Sequence, residues 1–162
     1  MNRFIAPILL ALMLPACGLQ PLYSGGSKGA VATTLGSVSV APIEGKSGWL
    51  MRNALTDRLG AQGSNVAQFR LVVTLDDRIE GFGVRADDTV TRERRTLRAR
   101  YQLVSVATGE TVLDATAGSD AGIDVVSSEY ATIAGENSAL ENLTQKVADQ
   151  IVARLSIYAR GE

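Results

Sequence analysis

The chain has 162 residues, a size suited to one domain, and contains no histidine, one cysteine and 5% aromatic residues. That inventory excludes a histidine-based triad, a histidine-ligated metal site and an internal disulfide. Sixteen basic and 17 acidic residues nearly cancel, so global charge does not call for nucleic acid, and any binding electrostatics must be local.

The amino end carries Arg3 and then an uncharged apolar run from Ile5 to Leu14. A membrane-spanning helix needs ~20 apolar residues, so this run has the proportions of a secretory signal core. Leu14-Pro15-Ala16-Cys17 follows and resembles the bacterial lipobox, in which the cysteine becomes the lipidated first residue of the mature protein. Acyl chains on Cys17 would each contribute ~0.8 kcal/mol per buried methylene, and two or more make a stable anchor. Gly18 stands where an Asp would resemble an inner-membrane retention signal, which points to the outer membrane. Residues 1–16 are therefore expected to be a lipoprotein signal peptide and 17–34 a lipidated tether rich in Gly and Ser, with Leu19, Leu22 and Tyr23 as docking residues. Residues 35–162 are expected to form the folded domain.

In that domain the pattern predicts a strand over Leu35 to Ile43, a turn at Gly45 to Gly48 and a helix from Trp49 to Ala61. Leu50, Ala54, Leu55 and Leu59 lie at helical spacing, and Ser47 is the candidate N-cap. Phe69 to Val84 alternates as a strand with Phe69, Leu71, Val73 and Leu75 inward, and Gly81-Phe82-Gly83 suggests a bulge or bend. Asp87-Asp88 turns the chain into a strand over Thr89 to Val106. A hairpin at Thr108-Gly109-Glu110 leads to a last strand, Thr111 to Val125, interrupted at Gly118 and Gly122. Ser127 or Ser128 caps a long final helix with Glu129 in its first turn, Gly135 as a kink and a stripe of Ile133, Leu140, Leu143, Val147, Ile151, Leu155 and Tyr158. The expected fold is α+β, with two helices packed on one face of a four-stranded mixed β-sheet in the order β-α-β-β-β-α. Short turns make the last three strands antiparallel, and the helical crossover allows the first two to be parallel.

Catalytic motifs fail on spacing. Gly45-Lys46-Ser47 would need a glycine at Val40 to complete a phosphate-binding loop, and Gly81-Phe82-Gly83 neither has a third glycine nor opens a helix. Asp76-Asp77 are neighbours on a strand and point to opposite faces, so they do not form a carboxylate pair. No serine sits in a nucleophile elbow. No catalytic, cofactor or metal site is expected, and the chain is read as a non-enzyme. The charge constellation that stands out is Arg92, Arg94, Arg95, Arg98 and Arg100. On a strand, Arg92, Arg94, Arg98 and Arg100 share one face at ~7 Å spacing while Leu97, Ala99 and Tyr101 occupy the other. Such a row suits bidentate contacts with phosphate or carboxylate, and also suits a merely solvated face.

Cys17-Gly18-Leu19-Gln20-Pro21-Leu22-Tyr23 resembles the mature start of the LptE lipopolysaccharide-assembly lipoproteins, alphaproteobacterial members in particular. The likeness extends over Leu97 to Gly109 and Val125 to Arg160, with Leu19 and Pro15 as mild departures. The resemblance implies a plug and assembly partner of the LptD β-barrel, forming a heterodimer that binds lipopolysaccharide. It also implies an outer-membrane location, lipid-anchored and facing the periplasm and the barrel lumen. On this reading Cys17 is the lipidation site and Arg92, Arg94, Arg98 and Arg100 are the candidate lipopolysaccharide contacts, with no cofactor, metal or nucleic acid. Two other readings stand beside it: an auxiliary outer-membrane lipoprotein of a phospholipid-trafficking ABC transporter, and a periplasmic hydrolase.

Overall fold

A computed structural model describes residues 29–60, 66–84 and 90–161. The expected signal peptide, Cys17, most of the tether and the Asp87-Asp88 turn lie outside the described residues. The elements are α1 (Ala30–Gly36), β1 (Val38–Val40), α2 (Gly45–Leu59), β2 (Phe69–Val84), β3 (Val90–Ser105), β4 (Thr111–Asp124) and α3 (Glu129–Ala159). The four strands form one sheet in the order β1-β2-β3-β4. β1 runs parallel to β2, with Val38 opposite Phe69, while β2-β3 and β3-β4 are antiparallel. The expected α+β class and mixed sheet are thus present, with a third, short helix ahead of them.

That helix corrects two boundaries. Ala30 to Thr34 was expected to belong to the tether, and Leu35 to begin a nine-residue strand; instead the chain is helical through Gly36 and β1 holds only three residues. Val31 and Leu35, four residues apart, fall on one helical face and are buried in the core. The gain from covering this apolar pair offsets the weak helix propensity of Thr33, Thr34 and Gly36.

A second correction concerns Gly45 to Gly48, expected to be a turn with Ser47 capping the next helix. These residues are instead the first turn of α2, with Glu44 at the N-cap position and no side-chain cap bond. Gly48 explains the tight entry: a Cβ there would lie 2.6 Å from the carbonyl oxygen of Ile43, so only glycine lets the helix start against the preceding backbone. Gly60 closes α2 in the left-handed conformation, so the helix ends at Leu59 and not at Ala61.

Inward side chains of β2 and β3, including Leu71, Val73, Leu97, Ala99, Tyr101 and Leu103, meet Leu140, Leu143, Val147, Ile151 and Leu155 of α3 and Met51, Leu55 and Leu59 of α2. Each buried Leu or Val contributes ~1.5–3 kcal/mol relative to exposure. Phe69 and Tyr158 close the lower end edge-to-face at 6.3 Å. The α3 stripe is buried from Leu140 to Leu155 and Tyr158 is half-buried, whereas Ile133 is exposed because the first turns of the helix extend past the core. Ser128 is the N-cap of α3 without a side-chain bond. β4 runs unbroken through Gly118 and Gly122. Gly83 takes a positive φ while the β2-β3 register runs without a shift, and the irregularity in pairing lies instead between Leu103 and Val104.

Candidate ligand-binding face

The three described helices lie on one side of the sheet, and among the described residues the other side is left open. Period-two alternation along β3 sends Arg92, Arg94, Arg98 and Arg100 to this open side, each exposed, and Arg95 to the helix side. The row expected from the sequence is therefore present. What the row faces was not expected. β4 places Asp124 directly opposite Arg92, Asp120 opposite Thr96 and Asp114 opposite Gln102. Arg92 contacts Asp124 at 3.1 Å, Arg98 contacts Asp120 at 3.2 Å and Arg100 contacts Asp114 at 2.8 Å. Thr96 donates to Asp120 at 2.8 Å and Gln102 to Asp114 at 2.9 Å. These bonds hold both carboxyls below the usual range. Asp114 is lowered to about 2 by Arg100 and then Gln102, and Asp120 is lowered by the Thr96 hydroxyl and then Arg98. The same contact raises the Arg100 pKa.

Arg94 differs. Among the described residues it has no carboxylate within ion-pair distance, and its guanidinium lies 5.2 Å from the centroid of the Phe82 ring. Below it the open face is creased by a shallow groove of about 390 Å³ between β2, β3 and β4, lined by Thr74, Asp76, Arg98, Arg100 and Thr116 among others. Gly118 shapes this region: the Arg98 side chain lies across it, and a Cβ there would come within 2.4 Å of Arg98 Cδ. β2 adds Arg70, exposed on the same face, and Arg78, which contacts Asp76 at 2.8 Å.

The three aspartates of β4 and the two arginines of β2 escaped the sequence reading. Their even spacing was a visible signal, but only the strand register shows which arginine each aspartate meets. Asp76 and Asp77 do point to opposite faces, Asp76 to the open side and Asp77 to Arg95 beneath α3. This face offers guanidinium, hydroxyl and carboxylate groups on a paired sheet, where an anionic oxygen could reach the guanidiniums only in competition with the internal carboxylates.

Residues 35–155 match the LptE lipopolysaccharide-assembly family. The chain belongs to the LptE family. Its role thereby lies in lipopolysaccharide assembly. No curated protein matches in sequence. Among solved structures the chain is similar to a lipoprotein of Caulobacter crescentus, at 23% identity and a TM-score of 0.69, over 82% of this chain and 97% of that one. Rare lipoprotein B of Shewanella oneidensis follows at 12% identity and a TM-score of 0.59, covering 76% and 95%. A minor lipoprotein of Acinetobacter baumannii aligns at 14% identity and a TM-score of 0.58, covering 75% and 89%. At these identities the likeness establishes the shared fold, which is the LptE-like helix-on-sheet arrangement.

Proposed function

We propose that this LptE protein is a lipid-anchored outer-membrane component that plugs and helps assemble the LptD β-barrel and binds lipopolysaccharide on its open sheet face. It acts by binding and not by catalysis. The family match across residues 35–155 carries the reading. Attachment is through Cys17, whose sequence context supports lipidation after removal of residues 1–16. The placement leaves the domain facing the periplasm and the barrel lumen.

The ligand contacts are Arg92, Arg94, Arg98 and Arg100. Three of them hold aspartates through exposed pairs, and exposed pairs are weak enough for a multivalent phosphate ligand to displace. Among the described residues Arg94 has no carboxylate within ion-pair distance, and Phe82 beside it provides apolar surface. The ordering of side chains along β3 supports a row of contacts with the phosphorylated part of the ligand.

Two variants test this together. Replacing the four arginines with glutamate should weaken lipopolysaccharide binding at least tenfold, with the loss shrinking as salt rises. The four-glutamine variant removes the charge without adding repulsion toward the β4 aspartates and should show a smaller loss with an intact fold. Unchanged affinity in both would remove the face from the binding account. Affinity purification of the wild-type lipoprotein from detergent-solubilised outer membranes should recover a stoichiometric β-barrel protein. Recovery of an ABC-transporter assembly instead would support the phospholipid-trafficking alternative.

A further inference from the structure

We infer that the free edge of β4 is a strand-addition site, at which an extended basic segment of the barrel partner pairs with the backbone of Asp114 to Asp124; this rests on the barrel-partner reading above. The ladder defines which groups are available. Val125 donates to the carbonyl of Thr91, so odd residues of β4 direct their backbone groups at β3. Even residues therefore direct theirs away from the sheet. Gly118 confirms the parity, since its N–H turns outward and is accepted by the side-chain Oε1 of Gln150 at 3.1 Å. Among the described residues no protein group accepts from the N–H of Thr116, Asp120 or Gly122, and no further strand follows β4 in the sheet.

Exposed edges of this length are normally blunted by lysine, proline, brevity or a covering element. β4 has 14 residues and contains no lysine, arginine or proline. The side chains that an added strand must pass are small: Thr116, Gly118 and Gly122 on the open side, and Ala115, Ala117, Ser119 and Ala121 on the helix side. The opposite border of the sheet differs, because β1 closes the lower part of β2 and the upper part carries the Arg78 and Glu80 side chains. Gln150 places one amide carbonyl where the carbonyl of an added strand would lie, and that strand would displace it.

Charge selects the occupant. The ionised side chains of β4 are all carboxylates, Asp114, Asp120 and Asp124, and they keep 38%, 47% and 76% of their side-chain surface exposed beside their arginines. A segment bearing Lys or Arg on its open-face positions would complete an alternation of acidic and basic strands that β3 and β4 already begin. Backbone pairing supplies affinity, and the aspartates supply register.

Gly122→Pro is the direct test. It removes an outward N–H that bonds to nothing in the described protein, and its ring projects into the space of the added strand. A proline tolerated at an edge position leaves the β3-β4 ladder whole. Gly122→Ala keeps the N–H and is the control; nothing lies within 4 Å of a Cβ there. With full-length lipoprotein co-expressed with its LptD barrel, the proline variant should lose association at least tenfold while the alanine variant matches wild type. Residue-resolved amide hydrogen exchange gives a reading independent of any variant: Thr116, Asp120 and Gly122 should become protected by tenfold or more on barrel binding, while Ala117, Ser119 and Ala121 are protected in both states. Full association of a folded Gly122→Pro protein, or even-numbered amides that exchange equally fast in the complex, would overturn the proposal. Protection of those amides in the isolated protein that grows with its concentration would assign the edge to a second copy of the chain and overturn it too. A wild-type protein that binds no barrel refutes the underlying reading instead, and is told apart because the control fails with the variant.

Discussion

On the helix side of the sheet, Arg95 and Asp77 keep 12% and 18% of their side-chain surface exposed; on the open side, Arg100 and Asp114 keep 65% and 38%. Both are arginine–aspartate pairs with two guanidinium bonds, and both join adjacent strands. Arg95 binds the two carboxylate oxygens of Asp77 at 2.8 and 2.7 Å and also donates to the carbonyl of Glu136 at 2.9 Å, tying the sheet to α3. Little solvent reaches these bonds beneath the helix layer. Arg100 and Asp114 are open to solvent. The comparison teaches that identical chemistry serves architecture where solvent is excluded and stays available to a ligand where it is not.

The contrast can be broken most strongly at the apolar residue between the two arginine environments. Leu97→Ala, on the inner side of β3 and fully buried, should cost about 3 kcal/mol in chemical denaturation. Thr74→Ala on the open side of β2 should stay within about 0.5 kcal/mol. Equal effects would mean that the open side is covered in the isolated protein.

Next in size is Arg95→Met, which strands the Asp77 carboxylate beneath α3. A destabilisation of about 2 kcal/mol is expected, below the value for a fully buried pair because some solvent reaches both groups. Adding Asp77→Leu should recover most of it. A double variant no more stable than Arg95→Met would show that the charge pair itself, and not the stranded charge, is what matters.

Gly118→Ala sharpens the open side. Its new methyl must push the Arg98 side chain off the strand, and this is cheap because that chain is flexible. The unfolding midpoint should hardly move, while the Asp120 carboxyl, followed by carbon NMR titration, should rise part of the way toward its ordinary pKa. Thr96 remains bonded to it and limits the rise.

The smallest effect concerns acid. Asp114 is depressed to about 2 in the folded protein, against roughly 3.9 for an unfolded aspartate. The unfolded state therefore binds the proton more readily. The Asp114 contribution to stability is complete above about pH 4 and is lost as pH falls through about 2. Asp114→Asn should flatten this part of the stability curve, lowering stability slightly at neutral pH and leaving it nearly unchanged below about pH 2.

Much of this architecture was legible from local pattern. The alternation of Leu97, Ala99, Tyr101 and Leu103 with arginines assigned both faces of β3, because a strand's period of two admits one solution when one face is apolar. The stripe from Leu140 to Tyr158 likewise identified the long helix. Legibility failed where the signal was short or non-local. Seven residues of α1 carry only Val31 and Leu35 as their apolar signal, and helices of this length form only against a core that already exists. The start of α2 at Gly45 depends on a backbone approach between Gly48 and Ile43 that no composition rule encodes. Among the site residues, the arginine row was readable and its aspartates were not, because the contact between Arg92 and Asp124 spans 32 residues.

The amino-acid sequence by itself determined the α+β class, the faces of the strands, the arginine row and, through its resemblance to LptE, the assembly role that the family match now supports. These follow from local periodicity and from short runs of specific residues. Tertiary structure alone decided that Arg92, Arg98 and Arg100 are met by carboxylates, that Arg95 anchors a helix while its neighbours stay exposed, and that among the described residues β4 ends the sheet with backbone groups left unpaired. Each of those depends on strand register and on solvent access, which arise only when residues far apart in the chain are brought together.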